Sequence, residues 1–523
     1  MREIRAWTAV ACLVTIAGSS GAGGVRGGDA GPRKAATDAR ALAARIDAVL
    51  AARWAAAGVR PVAAADDGEF LRRASLDLIG KIPAAAEARD FLDDPSRDKR
   101  HALVERLLDS PAYTARATEI WRQLLLPEAE TEDQVRQVAG GFEAWLRRKV
   151  VEEAGYDRIV REILTAKLGG GAGNTVAVRS DPSPAAYYVA KEGKPENLAA
   201  GAARVFLGVR LECAQCHDHP FAAWKREQFW GFAAFFAGVP PRGPDETTPR
   251  ATAPRRELTI PGTKTVVKAG HIDGSPPAWR PRADSREVLA DWVTSPENRY
   301  FARAAVNRVW ARFFGVGLVE PVDDLDVEAA PEYGALLDEL AGQFRSHNYD
   351  LKYLIRVLTA TRAYGLSSAA GAGDSSTPGF SAMPVRGLSA AQLFNSLTRA
   401  TGADAGEARA RFFDLFANRE ERSTEAQTTI LQALTMMNGA FMAGATDPDS
   451  GETLGAIARA PYLDTPGRIE ALYLATLTRR PRPEEQSLLA HYVDQREAPG
   501  ARAKALADVF WALLNGPEFY LNH

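Results

Sequence analysis

The sequence predicts a mainly α-helical protein, with two helical domains joined by a Pro-rich segment that carries a short β-hairpin. Three observations lead there. Long stretches place apolar residues at helical spacing without an internal breaker. Helix-start signals recur, such as Ser110-Pro111 and Asp284-Ser285-Arg286-Glu287. Only Glu257 to Val267 alternates as a strand pair would, with Leu258, Ile260, Val266 and Val267.

Taken in order, Ala41 to Ala57 consists of helix formers. Phe70, Leu71, Leu76, Leu78 and Ile79 extend an apolar face to Gly80, and Pro83 with Glu87 opens the next helix. Ser96-Arg97-Asp98-Lys99 precedes Leu103, Val104, Leu107 and Leu108, and Ser110-Pro111 supplies the following cap. Phe142 to Val151 and Tyr156 to Leu164 form two more helices, and Leu168 to Ser183 is a glycine-rich loop. Asn197 is expected to cap a helix that runs to Leu207 and stops at Gly208.

Beyond Pro240–Pro254, Asp284 to Glu287 caps a helix through Val293, and Ser295-Pro296-Glu297 caps Tyr300 to Phe314. Helices follow at Glu332–Arg345, Leu351–Thr361, Ser389–Ala400, Thr424–Asn438, Thr465–Thr478, Pro483–Arg496 and Ala501–Leu514. Ser367 to Pro378 is a small, polar loop.

The N-terminus has the pattern of an export signal over residues 1–22: Arg2 and Arg5, then small apolar residues from Ala6 to Ala17, then Gly18 to Ala22. Residues 23–40 are read as a flexible linker. The first domain is placed at 41–239, the Pro-rich segment at 240–283 and the second domain at 284–523. No stretch after the signal reaches the length of a membrane span, so the expected location is the periplasm or the cell surface. The 64 basic and 66 acidic residues are interleaved and give a net charge of −2, which argues against nucleic acid as a partner.

Of three cysteines, Cys12 lies in the signal segment, and Cys213 and Cys216 are spaced C-x-x-C. In Cys213-Ala214-Gln215-Cys216-His217 the two thiols are spaced to add across the two vinyl groups of haem, and the next residue becomes the iron ligand. Haem c is therefore the first reading, with Cys213 and Cys216 as thioether anchors and His217 as proximal ligand. Phe206, Phe221, Trp224, Phe229, Trp230, Phe235 and Phe236 either wall a porphyrin or form an ordinary core. His219 leaves a second reading open, in which Cys213, Cys216, His217 and His219 chelate zinc or iron without haem. A Cys213–Cys216 disulfide in a non-catalytic scaffold is the third. For a sixth haem ligand the candidates are Met436, Met437, Met442, His271 and His347, each with a plain structural alternative.

Asp323, Asp324, Asp326 and Glu328 form an acidic patch that lacks the glycine of a calcium loop and is read as a solvated or capping loop. Asn307, Arg308 and Trp310 suit a polar site or a capped amphipathic helix equally. Gly169-Gly170-Gly171 is not in the setting of a phosphate loop.

Phe70-Leu71-Arg72-Arg73, Leu76-Asp77-Leu78-Ile79-Gly80, Ile82-Pro83, Asp98-Lys99-Arg100, Phe206-Leu207-Gly208-Val209 and the stretch Cys213 to Phe221 with Phe229-Trp230-Gly231 resemble the planctomycete cytochrome-like domain of unknown function 1549. Leu289 to Trp292, Thr294 to Asn298, Asn307 to Trp310, Phe314 to Val319, Leu434 to Asn438 and Leu514 to Phe519 resemble its companion, the domain of unknown function 1553. The resemblance implies an exported protein associated with haem through C-x-x-C-H; this sequence departs from relatives that carry a separate N-terminal cytochrome domain, which leaves one candidate haem, and the redox partner is unidentified. It transfers no catalytic residue. Whether the protein is an enzyme stays open.

Overall fold

The computed structural model describes residues 32–168, 182–218, 224–239, 255–325, 332–368, 378–403, 406, 408–416, 435 and 437–523. The expected signal (1–22), Cys12, Gly169 to Gly171, His219, Phe221, Asp326, Glu328, Met436 and most of the 424–438 helix lie outside them.

The fold is mainly α. The first part contains α1 (Pro32–Ala57), α2 (Asp67–Ile79), α3 (Ala85–Asp93), α4 (Lys99–Leu108), α5 (Pro111–Leu125), α6 (Asp133–Val151), α7 (Tyr156–Leu164), α8 (Ala186–Ala190), α9 (Pro195–Ala202) and α10 (Arg226–Ala233). The hairpin follows as β1 (Glu257–Thr259) and β2 (Val266–Lys268), antiparallel with Leu258 opposite Val267. Then come α11 (Ser285–Val293), α12 (Phe301–Phe314), α13 (Gly334–Ser346) and α14 (Leu351–Thr359). The last part holds α15 (Ala390–Thr401), α16 (Ala408–Phe416), α17 (Ala440–Ala445), α18 (Glu452–Arg459), α19 (Thr465–Leu477), α20 (Pro483–Asp494), α21 (Ala501–Asn515) and α22 (Pro517–Tyr520). A second small sheet pairs β3 (Arg386–Gly387) with β4 (Leu521–Asn522).

Several caps act as the side chains dictate. Ser110 Oγ accepts from Tyr113 N, Asp284 accepts from Arg286 N, and Ser389 with Gln392 forms a reciprocal capping box. Four expectations need correction. The first helix starts at Pro32, inside the segment read as linker, because proline tolerates the first turn and Lys34-Ala35-Ala36 favours helix. The helix ending at Val151 starts at Asp133, nine residues before Phe142, since Val135 and Val138 supply a further buried turn. Asn197 is not a cap: α9 starts at Pro195, and the Asn197 amide donates to Glu192 at 3.1 Å. Ser295 does not cap α12: the residue before its first turn is Tyr300, and the chain entering it is held by Asn298, whose Oδ1 accepts from Tyr300 N and Phe301 N at 2.9 and 3.0 Å.

Apolar packing forms two cores. The larger joins side chains from Ala39 to Met383, with Leu474, and runs across the Pro-rich segment, and the smaller gathers Leu393 to Phe519 with Leu76 and Ile82. Helix α2 belongs to both, sending Phe70, Leu71, Ala74 and Leu78 into the larger core and Leu76 into the smaller. Three of its charged residues, Arg72, Arg73 and Asp77, are buried as well. Arg72 donates to the carbonyls of Thr476, Phe519 and Leu521, and Arg73 to those of Tyr364 and Leu366. Among the described residues no helix is long and apolar enough to cross a membrane.

Candidate functional site

The chain enters the site through an irregular helix end. After α9 the backbone widens into a single π turn, Ala203–Leu207, and stops at Gly208 in the left-handed region (φ 64°). A side chain at Gly208 would press on Leu325 and Ala304, each about 3.0 to 3.1 Å from an added Cβ. The Gly208 carbonyl accepts from Leu325 N at 2.7 Å, and Arg308 donates to the Arg204 carbonyl at 3.2 Å. The entry to the site is thus fixed to α12 and the segment that follows it.

Val209, Leu211 and Ala214 are fully buried and pin the next residues to the core. Glu212–Gln215 forms one 3₁₀ turn, with Ala214 N donating to the Leu211 carbonyl at 2.9 Å. A tight turn with a buried alanine at its centre leaves its other side chains facing water. Cys213 and Cys216 are both exposed, as free thiols, and His217 is exposed beside them.

The second wall is α10. Trp230 Nε1 donates to the Gln215 carbonyl at 3.0 Å, and Arg226 Nε reaches the same oxygen at 3.3 Å. Asp218 accepts from Arg226 N at 2.9 Å and from Lys225 Nζ at 3.0 Å. The Arg226 amide, followed by the Lys225 ammonium, holds the Asp218 carboxyl below its ordinary range. Arg226 also donates to the Pro261 carbonyl at 3.1 Å, which ties the hairpin turn to the site.

His217 Nδ1 lies 2.7 Å from the Asp218 carbonyl oxygen. A carbonyl oxygen only accepts, so Nδ1 carries a proton, and in the neutral imidazole Nε2 is the nitrogen with the lone pair. Such a bond to the remote nitrogen orients an imidazole and strengthens it as a ligand. The Nε1 of Trp224 is buried without a hydrogen-bond partner among the described residues.

The aromatics divide clearly. Phe206, Trp224, Phe229, Trp230, Phe235 and Phe236 all belong to the larger core, with Phe229 and Trp230 edge-to-face at 5.4 Å. Core packing therefore accounts for most of their surface, and Trp230 alone of them has a side-chain hydrogen bond to the cysteine turn. Among the described residues no three His, Cys, Asp or Glu side chains gather closely enough to hold a metal ion.

The other singled-out residues have structural partners. Met442 is buried in the smaller core and Met437 is exposed. His347 stacks on Tyr353 at 3.7 Å, with Nδ1 2.9 Å from the Gln343 carbonyl. His271 is sandwiched between Phe235 and Trp292, with ring centroids at 5.4 and 4.6 Å. Asp323 is buried and paired with Arg204 and Arg210, an ion-pair network rather than a calcium loop. Asn307 is fully buried and exchanges two hydrogen bonds with Val319, at 2.8 and 3.0 Å, fixing the loop after α12. Sequence reasoning missed two supports of the cysteine turn, the Gln215 carbonyl and Asp218. A carbonyl carries no sequence signal, and an aspartate after C-x-x-C-H has no spacing rule.

Residues 45–240 match the family model PSCyt2, Protein of unknown function (DUF1549), and residues 285–410 match PSD1, Protein of unknown function (DUF1553). No curated protein and no solved structure matches the chain.

Proposed function

For a chain that carries these two domains in this order, we propose a monohaem c-type protein with a redox or electron-transfer role outside the cytoplasm. Cys213 and Cys216 would hold the haem as thioethers and His217 Nε2 would ligate its iron. The observation that carries the reading is the 2.7 Å contact of His217 Nδ1 with the Asp218 carbonyl, which leaves Nε2 as a free ligand beside two exposed thiols.

The donor set suits the group. Covalent attachment needs reachable thiols, and both are exposed and unpaired. Bound haem supplies a one-electron couple. The protein's part is to orient the imidazole through Asp218 and to hold the turn through Trp230, Arg226 and the buried Ala214. The export pattern in residues 1–22 supports the compartment, because haem c is matured outside the cytoplasm.

Expression with c-type maturation machinery, followed by haem staining of a denaturing gel, tests the proposal. The stain is expected to stay with the protein and to be lost in the double variant Cys213→Ser, Cys216→Ser. A clean gel with stoichiometric zinc or iron by elemental analysis would overturn it in favour of a non-haem site that includes His219.

A further inference from the structure

A cleft of about 790 Å³ opens between the two apolar cores, with α5 and α6 on one side and α15 and α16 on the other. That volume is in the range of small-molecule sites, which favour such junctions. Six cationic side chains line it against three carboxylates.

All three carboxylates are already engaged. Arg116 holds Glu119 at 2.8 Å, and Arg122 holds both Glu130 and Glu143, at 2.6 and 3.2 Å. Arg409 lies 4.7 Å over the ring of Phe413. Lys81, Arg147 and Arg399 are left without an ion pair among the described residues.

The back of the cleft is built rather than incidental. Arg116 is only 6% exposed, and its Nε has no hydrogen-bond partner among the described residues. Gly80 makes room for it: an added Cβ would fall 2.7 Å from Arg116 Cδ. Gathering like charges in a partly dehydrated cleft is unfavourable unless an anion joins them.

We propose that this cleft binds a small soluble polyanion, a molecule with two or more carboxylate, phosphate or sulfate groups. Lys81, Arg147 and Arg399 contact it from three sides, and Arg116 adds charge from behind. Two neighbouring groups agree. Burial, then the Arg399 charge, pushes the Lys81 ammonium down. Burial, then the Arg116 charge, pushes Arg312 down to about 9. The site is separate from the cysteine turn and does not depend on the haem reading.

Calorimetric titration of the full chain with tripolyphosphate, tricarballylate and inorganic phosphate tests this. Saturable binding is expected for at least one of the two polyanions, weakening as salt rises. Arg147→Gln and Arg399→Gln are expected to weaken it at least tenfold each, whereas Lys264→Gln on the hairpin turn leaves it unchanged. Both cleft arginines are exposed, so these variants carry the test even if Lys81→Gln fails to fold. The proposal is overturned by no saturable binding of either polyanion, by phosphate binding as tightly as they do, or by cleft and hairpin variants behaving alike.

Discussion

Asp77 and Arg386, 309 residues apart, meet as a buried pair: Arg386 Nη2 donates to both carboxylate oxygens of Asp77, at 2.9 and 3.0 Å. Tyr364 Oη and Asn522 Nδ2 complete the shell at 2.9 and 2.8 Å. The pair joins α2 to the strand that receives the C-terminal residues. Removing one partner leaves the other charge dehydrated. Asp77→Ala is therefore expected to destabilise the protein by about 3 to 5 kcal/mol, read by urea denaturation. An unchanged midpoint would show that Arg386 finds another acceptor.

Gly80 and Gly262 both have positive φ, 69° and 75°, but their surroundings differ. An added Cβ at Gly262 meets nothing, whereas at Gly80 it strikes Arg116. Gly262→Ala is expected to lose about 1 kcal/mol through backbone strain alone, and Gly80→Ala roughly 1 to 3 kcal/mol more through overpacking. Equal losses in thermal melts would contradict this ordering.

His271 is buried, its Nδ1 lies 2.9 Å from Ser275 Oγ, and its Nε2 has no partner. Burial depresses its pKa below the ordinary 6.5, and Asp273 offsets this in part. The unfolded chain then takes up a proton near pH 6.5 that the native protein resists. This contribution is complete above pH 6.5 and is lost as the pH falls below it. His271→Phe, which keeps a ring between Phe235 and Trp292, is expected to flatten the fall in melting temperature between about pH 6.5 and 5. His101 and His523, also depressed, leave a residual slope.

Asp218 lies in water and ties the residue after the histidine to the first turn of α10. Asp218→Ala is expected to raise hydrogen exchange at the amides of Arg226 and Glu227 at pH 7 while the global melting temperature holds. Because the carboxyl is held below its ordinary range, the wild-type contact persists above that range and is lost only in stronger acid. No change in local exchange would remove Asp218 from the support of the cysteine turn.

Much of the architecture was legible because its causes are local. Ser110, Asp284 and Ser389 cap helices through bonds that span two or three residues. Tyr156–Leu164 places Tyr156, Ile159, Val160 and Ile163 on one buried face, a pattern visible in nine residues. The cysteine motif was legible for the same reason, since its residues lie within five positions.

The sequence by itself determined the helical class, the hairpin, the order of the two domains and the C-x-x-C-H spacing of Cys213, Cys216 and His217. Only the tertiary structure decided which partners complete each buried charge. Arg72, Arg73 and Asp77 carry no sequence signal of their partners, yet each is buried against groups more than 280 residues away. It likewise assigned the aromatics near the motif to the core. The physical reason is one of range. Propensity, capping and periodicity act between residues within a few positions, whereas the pairing of a buried charge or the filling of a cleft depends on which distant segments the packed cores bring together.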